Sequence, residues 1–113
     1  MVADLDRTLA ALADPTRRAI VERLRRRPQR PSEVAEALSM SRPAMSRHLR
    51  VLRRAGLIAQ ESLEEDARGR LIQLRTGPLT ELRSWVEEVE EMWSDQLESF
   101  KAHAERVQRG RRR

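Results

Sequence analysis

The segment Ser39–Ile58, SMSRPAMSRHLRVLRRAGLI, constrains the fold more than any other part of this 113-residue chain. It carries the signals of one helix: Ser41 is a favourable N-cap residue, Pro43 is tolerated in a first turn, and Gly56 ends the helix. The segment contains five Arg and no acidic residue. It therefore predicts a basic helix over about residues 42–55.

This predicted helix has one apolar side and one polar side, because side chains three and four positions apart share a face. The residues expected to face a core are Met45, Leu49 and Leu52. The residues expected to face largely away from it are Arg42, Pro43, Ser46, Arg47, Arg50 and Arg54. A helix of this kind suits the major groove of DNA, although a solvated Arg-rich face is the alternative interpretation.

Recognition helices place their N-terminal residues at base edges, where Arg bonds guanine and Ser bonds several bases or a phosphate. Arg42, Ser46 and Arg47 are therefore candidates for base contacts. The residues further along are candidates for phosphate contacts: Arg50, Arg53 and Arg54. His48 lies beside the apolar stripe, where it either contacts DNA or serves as a half-buried structural histidine.

Three shorter helices are predicted before this one. Residues 3–13 have leucines at helical spacing, and Asp14 with Pro15 starts a helix that runs to about Arg26. A third helix is expected to begin with Ser32 as its N-cap and to end near Leu38. The three-residue turn at 39–41 then joins helices three and four into a helix-turn-helix.

After the basic helix, residues 57–63 and 70–75 read as two short strands, and the polar residues 64–69 form their hairpin loop. This hairpin is a wing, in which Arg68 and Arg70 are candidates for contacts with the minor groove or a phosphate. The acids Glu64, Glu65 and Asp66 oppose such contacts. A last helix is expected from Thr76 to about Gln108.

The predicted fold is thus mainly α with a small β-hairpin, a winged helix-turn-helix of order α-α-α-α-β-β-α. Its length fits a single domain over residues 1–108, followed by a basic tail at 109–113. The net charge is +5, but it is unevenly distributed: residues 1–60 hold 13 Arg against 6 acids, and residues 78–108 hold 8 acids against 3 basic residues. The basic front half points to a polyanionic partner.

Several classes of function are disfavoured. The chain has no Cys and two His, and neither a Ser/His/Asp set nor a Gly-rich phosphate loop is apparent, so we expect no enzyme. No signal peptide and no run of about 20 apolar residues is visible, so we expect a cytoplasmic protein. The alternative to DNA binding is a winged-helix module that binds another protein.

Three segments of the sequence resemble those of the arsenic-repressor (ArsR/SmtB) family of winged-helix transcription factors: Ala11–Ile20, Ser41–Leu49 and Leu52–Leu57. The resemblance covers nearly the whole chain. It implies a homodimer built from the first and last helices that binds pseudo-palindromic operators in double-stranded DNA and usually represses transcription. It also assigns DNA reading to Ser41, Arg42, Ser46, Arg47 and His48.

Many members of that family sense metals, but the residues here depart from their pattern. The third helix has no Cys or His, and the last helix has one histidine, His103. A transition-metal site usually needs several converging N or S ligands. We therefore expect no metal and no cofactor; the alternative is a site of His103 with Asp95 or Glu98 shared between two copies.

The last helix carries more apolar surface than a small domain needs, which favours a two-fold interface with a second copy. The residues predicted to form that interface are Leu5, Leu9, Leu12, Trp85, Val89, Met92, Trp93 and Phe100. The alternative is that the Trp and Met side chains line a pocket for a small molecule.

Overall fold

The computed structural model describes residues 2–62 and 70–111. Within them the chain forms five helices and one β-hairpin, which confirms the predicted fold class. The elements are α1 Val2–Leu12, α2 Pro15–Leu24, α3 Pro31–Ala37, α4 Arg42–Arg54, β1 Ile58–Ser62, β2 Arg70–Leu74 and α5 Gly77–Arg111. The last helix extends beyond its predicted end at Gln108.

Side-chain caps start two of these helices as predicted. Asp14 accepts hydrogen bonds from the backbone N–H groups of Thr16 at 2.7 Å and Arg17 at 3.1 Å, and so caps α2. The Ser41 hydroxyl accepts one from the N–H of Ala44 at 3.3 Å and caps α4. Each cap satisfies N–H groups that have no partner inside the helix.

The prediction that Ser32 caps α3 is wrong. The helix begins at Pro31, and its N-cap residue is Arg30, with φ −75° and ψ 145° and no side-chain hydrogen bond to the helix. The proline ring holds φ near a helical value and disfavours helix at the residue before it. Pro31 therefore occupies the first helical position, and Ser32 lies inside the first turn.

Each of the two helices of the helix-turn-helix is followed by a residue in the left-handed region. Ser39 has φ 54°, and the N–H of Met40 bonds the carbonyl of Ala35 at 2.8 Å, which ends α3. Gly56 has φ 74° and ends α4, as predicted. The left-handed conformation suits Gly and strains other residues.

The hairpin pairs β1 with β2 antiparallel, from Ile58 opposite Leu74 to Ser62 opposite Arg70. Gln29 adds a bridge on the other side of β2: its N–H and carbonyl bond the Ile72 backbone at 3.1 and 2.8 Å. The Gln29 side chain is buried and donates to the carbonyl of Arg23 at 2.6 Å. The loop before α3 is thereby fastened to the wing.

The chain divides into two compact units, Met1–Leu82 and Arg83–Arg113. The first unit contains the hydrophobic core, whose larger members are Ile20, Leu24, Val34, Met45, Leu49, Leu52, Leu57, Ile58 and Ile72. The predicted apolar stripe of α4 is therefore buried. Among the described helices, none combines the length and apolar character needed to cross a membrane.

Candidate nucleic-acid interface

Helix α4 divides its polar side chains between two directions. With about 100° between successive residues, Arg47 lies about 160° around the helix from the buried Met45 and points away from the core. Arg42 and Ser46 lie only about 60° and 100° from Met45, on one flank. Of the three candidates for base contacts, Arg47 is thus the one that points outward, and the other two line the side of the helix.

The basic side chains of α4 carry their charge without a carboxylate partner in the described part of the chain. The ion pairs found there join Arg17 to Asp14, Arg25 to Glu22, Arg27 to Glu33, and Arg83 to Glu87. The exposed arginines of α4 are Arg42, Arg47, Arg50, Arg53 and Arg54. Their positive charge is available to an anionic partner.

A groove runs along the flank of α4. It has a volume of about 610 Å³, and three arginines from three segments line it: Arg30 before α3, Arg42 at the start of α4 and Arg70 at the start of β2. Ser32 and Ser46 add hydroxyl groups to its walls. Its apolar lining includes Pro31, Ala35, Met45 and Leu49.

The opposite flank of α4 is tied to the body of the first unit through His48. This half-buried ring has its Nδ1 atom 3.4 Å from an Nη1 atom of Arg17. A guanidinium only donates hydrogen bonds, so Nδ1 can take part in this contact only as the acceptor. His48 therefore has a structural contact within the first unit.

Arg17 and Arg18 hold the end of α1. Arg17 donates to the carbonyls of Ala11 at 2.7 Å and Ala10 at 3.1 Å, while Arg18 donates to that of Leu12 at 2.7 Å. The hydrogen bond from the backbone N–H of Arg17 also holds the pKa of the Asp14 carboxyl below its ordinary value of 3.8. These two arginines satisfy carbonyls that the helix itself leaves open.

Known proteins share this architecture. A model described as a helix-turn-helix domain matches residues 12–61. The HTH-type transcriptional regulator Rv2034 of Mycobacterium tuberculosis is 40% identical over 95 residues, which cover 84% of this chain and 83% of the relative. The crystal structure of the ArsR family transcriptional regulator RHA00566 is 33% identical with a TM-score of 0.75, covering 83% of this chain and 94% of that one. This chain belongs to the ArsR family. The transcriptional repressor SdpR of Bacillus subtilis is 29% identical over 84 residues, 73% of this chain and 88% of the relative.

The other predicted contact residues of this ArsR-family chain fall into three groups. Pro43 and Arg50 are exposed on α4, and Ser41 is exposed beside its start. Arg70 is exposed at the first position of β2. Arg68 and the loop at 64–69 lie outside the described residues.

Sequence reasoning missed Arg30 and Ser32 as members of the basic groove. Nothing in their local pattern distinguishes them, because Arg30 stands in an Arg-rich stretch and Ser32 was assigned to a cap. Only the packing of α3 beside α4 and β2 brings them to Arg42 and Arg70.

The residues predicted for a two-fold interface differ in how much surface they offer. On α1, Leu9 is 40% exposed, Leu5 is half-buried, and Leu12 packs against the core. The members on α5 are all exposed: Trp85, Val89, Met92, Trp93 and Phe100. The apolar surface is therefore largest on α5.

The described residues contain no cluster of side chains that could ligate a metal ion. No group of three or more His, Cys, Asp or Glu side chains there is arranged to hold an ion. His103, Asp95 and Glu98 lie on α5 and are exposed. The shared site considered for two copies stays an untested alternative.

Proposed function

We propose that this ArsR-family chain is a homodimeric regulator that binds specific double-stranded DNA and represses transcription. The observation that carries the proposal is α4, a 13-residue helix that buries Met45, Leu49 and Leu52 and leaves its arginines exposed. A helix with this division of residues suits the major groove, where its first turns meet base edges.

Arg47 is our principal candidate for base readout. It points away from the core, and its guanidinium can donate two hydrogen bonds to O6 and N7 of guanine. Ser41, Pro43 and His48 lie close to the same helix start, and Arg50 follows one turn later, where a phosphate contact is expected. Arg70, and Arg68 beyond the described residues, are proposed to contact the adjacent backbone or minor groove.

The homodimer is supported by the apolar surface of α5. Met92 is 68% exposed, Trp93 is 64% exposed and Phe100 is 74% exposed, which is more apolar surface than a monomer usually leaves to water. Val86, Trp93, Phe100 and Val107 recur every seven residues, the spacing with which two helices bury a common seam. Leu9 adds exposed apolar surface on α1.

Repression is the mode we propose, because SdpR, a relative over most of this chain, is named a transcriptional repressor. A dimer bound to an operator occludes the DNA that it covers. We also infer that the chain acts by binding rather than by catalysis, and that it works in the cytoplasm, where a bacterial-type regulator meets its DNA.

A footprint on the DNA upstream of the chain's own gene tests the proposal against the protein-interaction alternative. We expect a protected stretch with two-fold symmetry that disappears as salt is raised, because neutralised phosphates release counterions. Binding that is equally weak on upstream and random DNA would contradict sequence-specific regulation there. It would favour a module whose partner is a protein.

A further inference from the structure

We propose that the groove lined by Arg30, Arg42 and Arg70 holds one phosphate–deoxyribose segment of the DNA backbone, an inference that rests on the proposed function. It adds Arg30 and Ser32 to the interface. It also assigns Arg42 and Ser46 to the backbone and leaves base readout to Arg47.

The groove gathers positive charge that no described carboxylate neutralises. Three arginines line it, from a loop, a helix start and a strand start. Among the described residues, no acidic side chain lines the groove and none forms an ion pair with these arginines. Like charges gathered in this way repel one another until an anion lies between them, so the groove favours a phosphate.

The lining has the mixed chemistry of a sugar–phosphate chain. Ser32 and Ser46 offer hydroxyl donors for phosphate oxygens, which are frequent partners of Ser in protein–DNA contacts. Pro31, which is half-buried, presents apolar atoms against which the carbon face of a deoxyribose can pack, whereas Met45 and Leu49 are almost fully buried. A free inorganic phosphate would use the donors only and would leave the apolar lining in water.

Direction decides which residues belong to the backbone and which to the bases. Arg42 and Ser46 lie on the flank of α4 that forms the groove, whereas Arg47 lies on the outward side. If the outward side enters the major groove, the flank faces the wall of that groove, which is the phosphate chain. Phosphate contacts then fix the register of α4, and Arg47 reads sequence.

The test uses the full-length protein and a duplex that it binds. Arg30→Ala should weaken binding about threefold to tenfold, equally on specific and random DNA, as expected for one exposed charge-assisted contact. The slope of log K against log salt should fall by about 0.9 per protomer. Arg30→Lys, which keeps the charge but not the fork of donors, should recover part of the loss.

Arg26→Ala is the matched control. Arg26 is exposed near the end of α2, outside the groove, and its removal changes the net charge by the same amount. We expect its effect on affinity and on the salt slope to be less than half of that of Arg30→Ala. Thermal unfolding of both variants checks that each is folded; a folded Arg70→Ala variant serves in place of Arg30→Ala if the latter unfolds.

Methylphosphonate scanning locates the contact. Replacing each backbone phosphate of the duplex in turn by the neutral methylphosphonate should reveal one position per half-site at which the wild type loses affinity and Arg30→Ala loses less, because Arg42 and Arg70 remain beside that phosphate. Equal effects of Arg30→Ala and Arg26→Ala, or unchanged methylphosphonate sensitivity in Arg30→Ala, would overturn the inference. If the wild type binds no DNA, the proposed function itself fails.

Discussion

At the scale of the residue, position around α4 gives chemically identical side chains different tasks. Arg42 and Arg47 are five residues apart and both exposed, but one lines the groove and the other points outward. Arg17, by contrast, is only 18% exposed at its side chain and is bonded to carbonyls of α1. We therefore propose base readout for Arg47 and a DNA-backbone contact for Arg42, whereas Arg17 makes structural contacts with α1.

Arg47→Ala should reduce affinity for the operator by about 1–3 kcal/mol and relax preference at one base position. The reason is that the outward guanidinium is the group best placed to bond a guanine edge. Binding titrations on operator and on single-base variants measure both effects. Arg53→Ala, in the last turn of the same helix, is the control and should weaken all duplexes alike; the same uniform loss from Arg47→Ala would mark Arg47 as a phosphate contact.

The Asp14 cap should make stability depend on pH. Because its pKa is lowered in the folded protein, chiefly by the hydrogen bond from the N–H of Arg17, the carboxylate stabilises the fold above pH 3.8. That contribution is lost as the pH falls through the lowered pKa. Asn also caps helices but does not titrate, so Asp14→Asn should show a flatter decline of the unfolding midpoint below about pH 4. Parallel profiles for the two proteins would contradict this account.

Local signals explain what could be predicted at this scale. The caps at Asp14 and Ser41 and the stop at Gly56 depend on neighbours within a few positions. The contacts of Arg17 do not: they reach Ala11, six positions away, and His48, 31 positions away. The sequence alone does not distinguish an Arg that clamps carbonyls from one that binds phosphate, so the contacts of Arg17 could not be predicted from it.

At the scale of the element, the turn between α3 and α4 sets the position of α4, the proposed recognition helix. Its sharp reversal requires Ser39 to adopt φ 54°, where a Cβ atom is strained. Gly would adopt the same conformation without that strain, although it also loses more entropy on folding. The two effects oppose each other, and strain is the larger at a left-handed position.

Ser39→Gly should therefore raise the free energy of unfolding by about 0.5 kcal/mol. Ser32→Gly is the control, because Ser32 is inside the first turn of α3, where the larger loss of backbone entropy by Gly lowers the free energy of unfolding. Chemical denaturation of the two variants should give shifts of opposite sign. A loss of stability in both would show that the turn is not strained at Ser39.

Element boundaries were predictable where chain geometry is local, and pairing across the chain was not. The two strands and their hairpin follow from turn residues and spacing. The bridge between Gln29 and Ile72 joins residues 43 positions apart and follows no period. Arg30 lines the groove because this bridge fastens the preceding loop to the wing. The place of Arg30 in the site depends on that non-local contact and could not be predicted from the sequence.

At the scale of the whole molecule, the apolar side of α5 connects fold to function. A two-fold dimer presents two reading helices about 34 Å apart, one turn of DNA, and so doubles the number of base and phosphate contacts. The sequence predicts the apolar side of α5 through a recurrence of apolar residues every seven positions. It does not identify the surface that packs against this side, because the pattern describes only one of the two surfaces in contact.

Trp93→Asp should disrupt the dimer, because it replaces an indole of the proposed seam by a carboxylate. Trp93 is 64% exposed in the single chain. We expect the dissociation constant to rise at least about thirtyfold, the effect of losing an aromatic anchor. Ser94→Asp adds the same charge one position along α5 and should leave the dimer intact. Sedimentation at micromolar concentration distinguishes them, and a wild type that binds DNA as a monomer would contradict the interface.

The most direct test of DNA reading by a dimer is selection of bound duplexes from a random pool with the full-length protein. We predict one enriched motif that occurs twice, related by a two-fold axis, with half-site centres about 10 base pairs apart or a multiple of that distance. The same motif should emerge with a chelator and with added zinc. A pool without enrichment, or a single motif without its symmetry mate, would contradict the account.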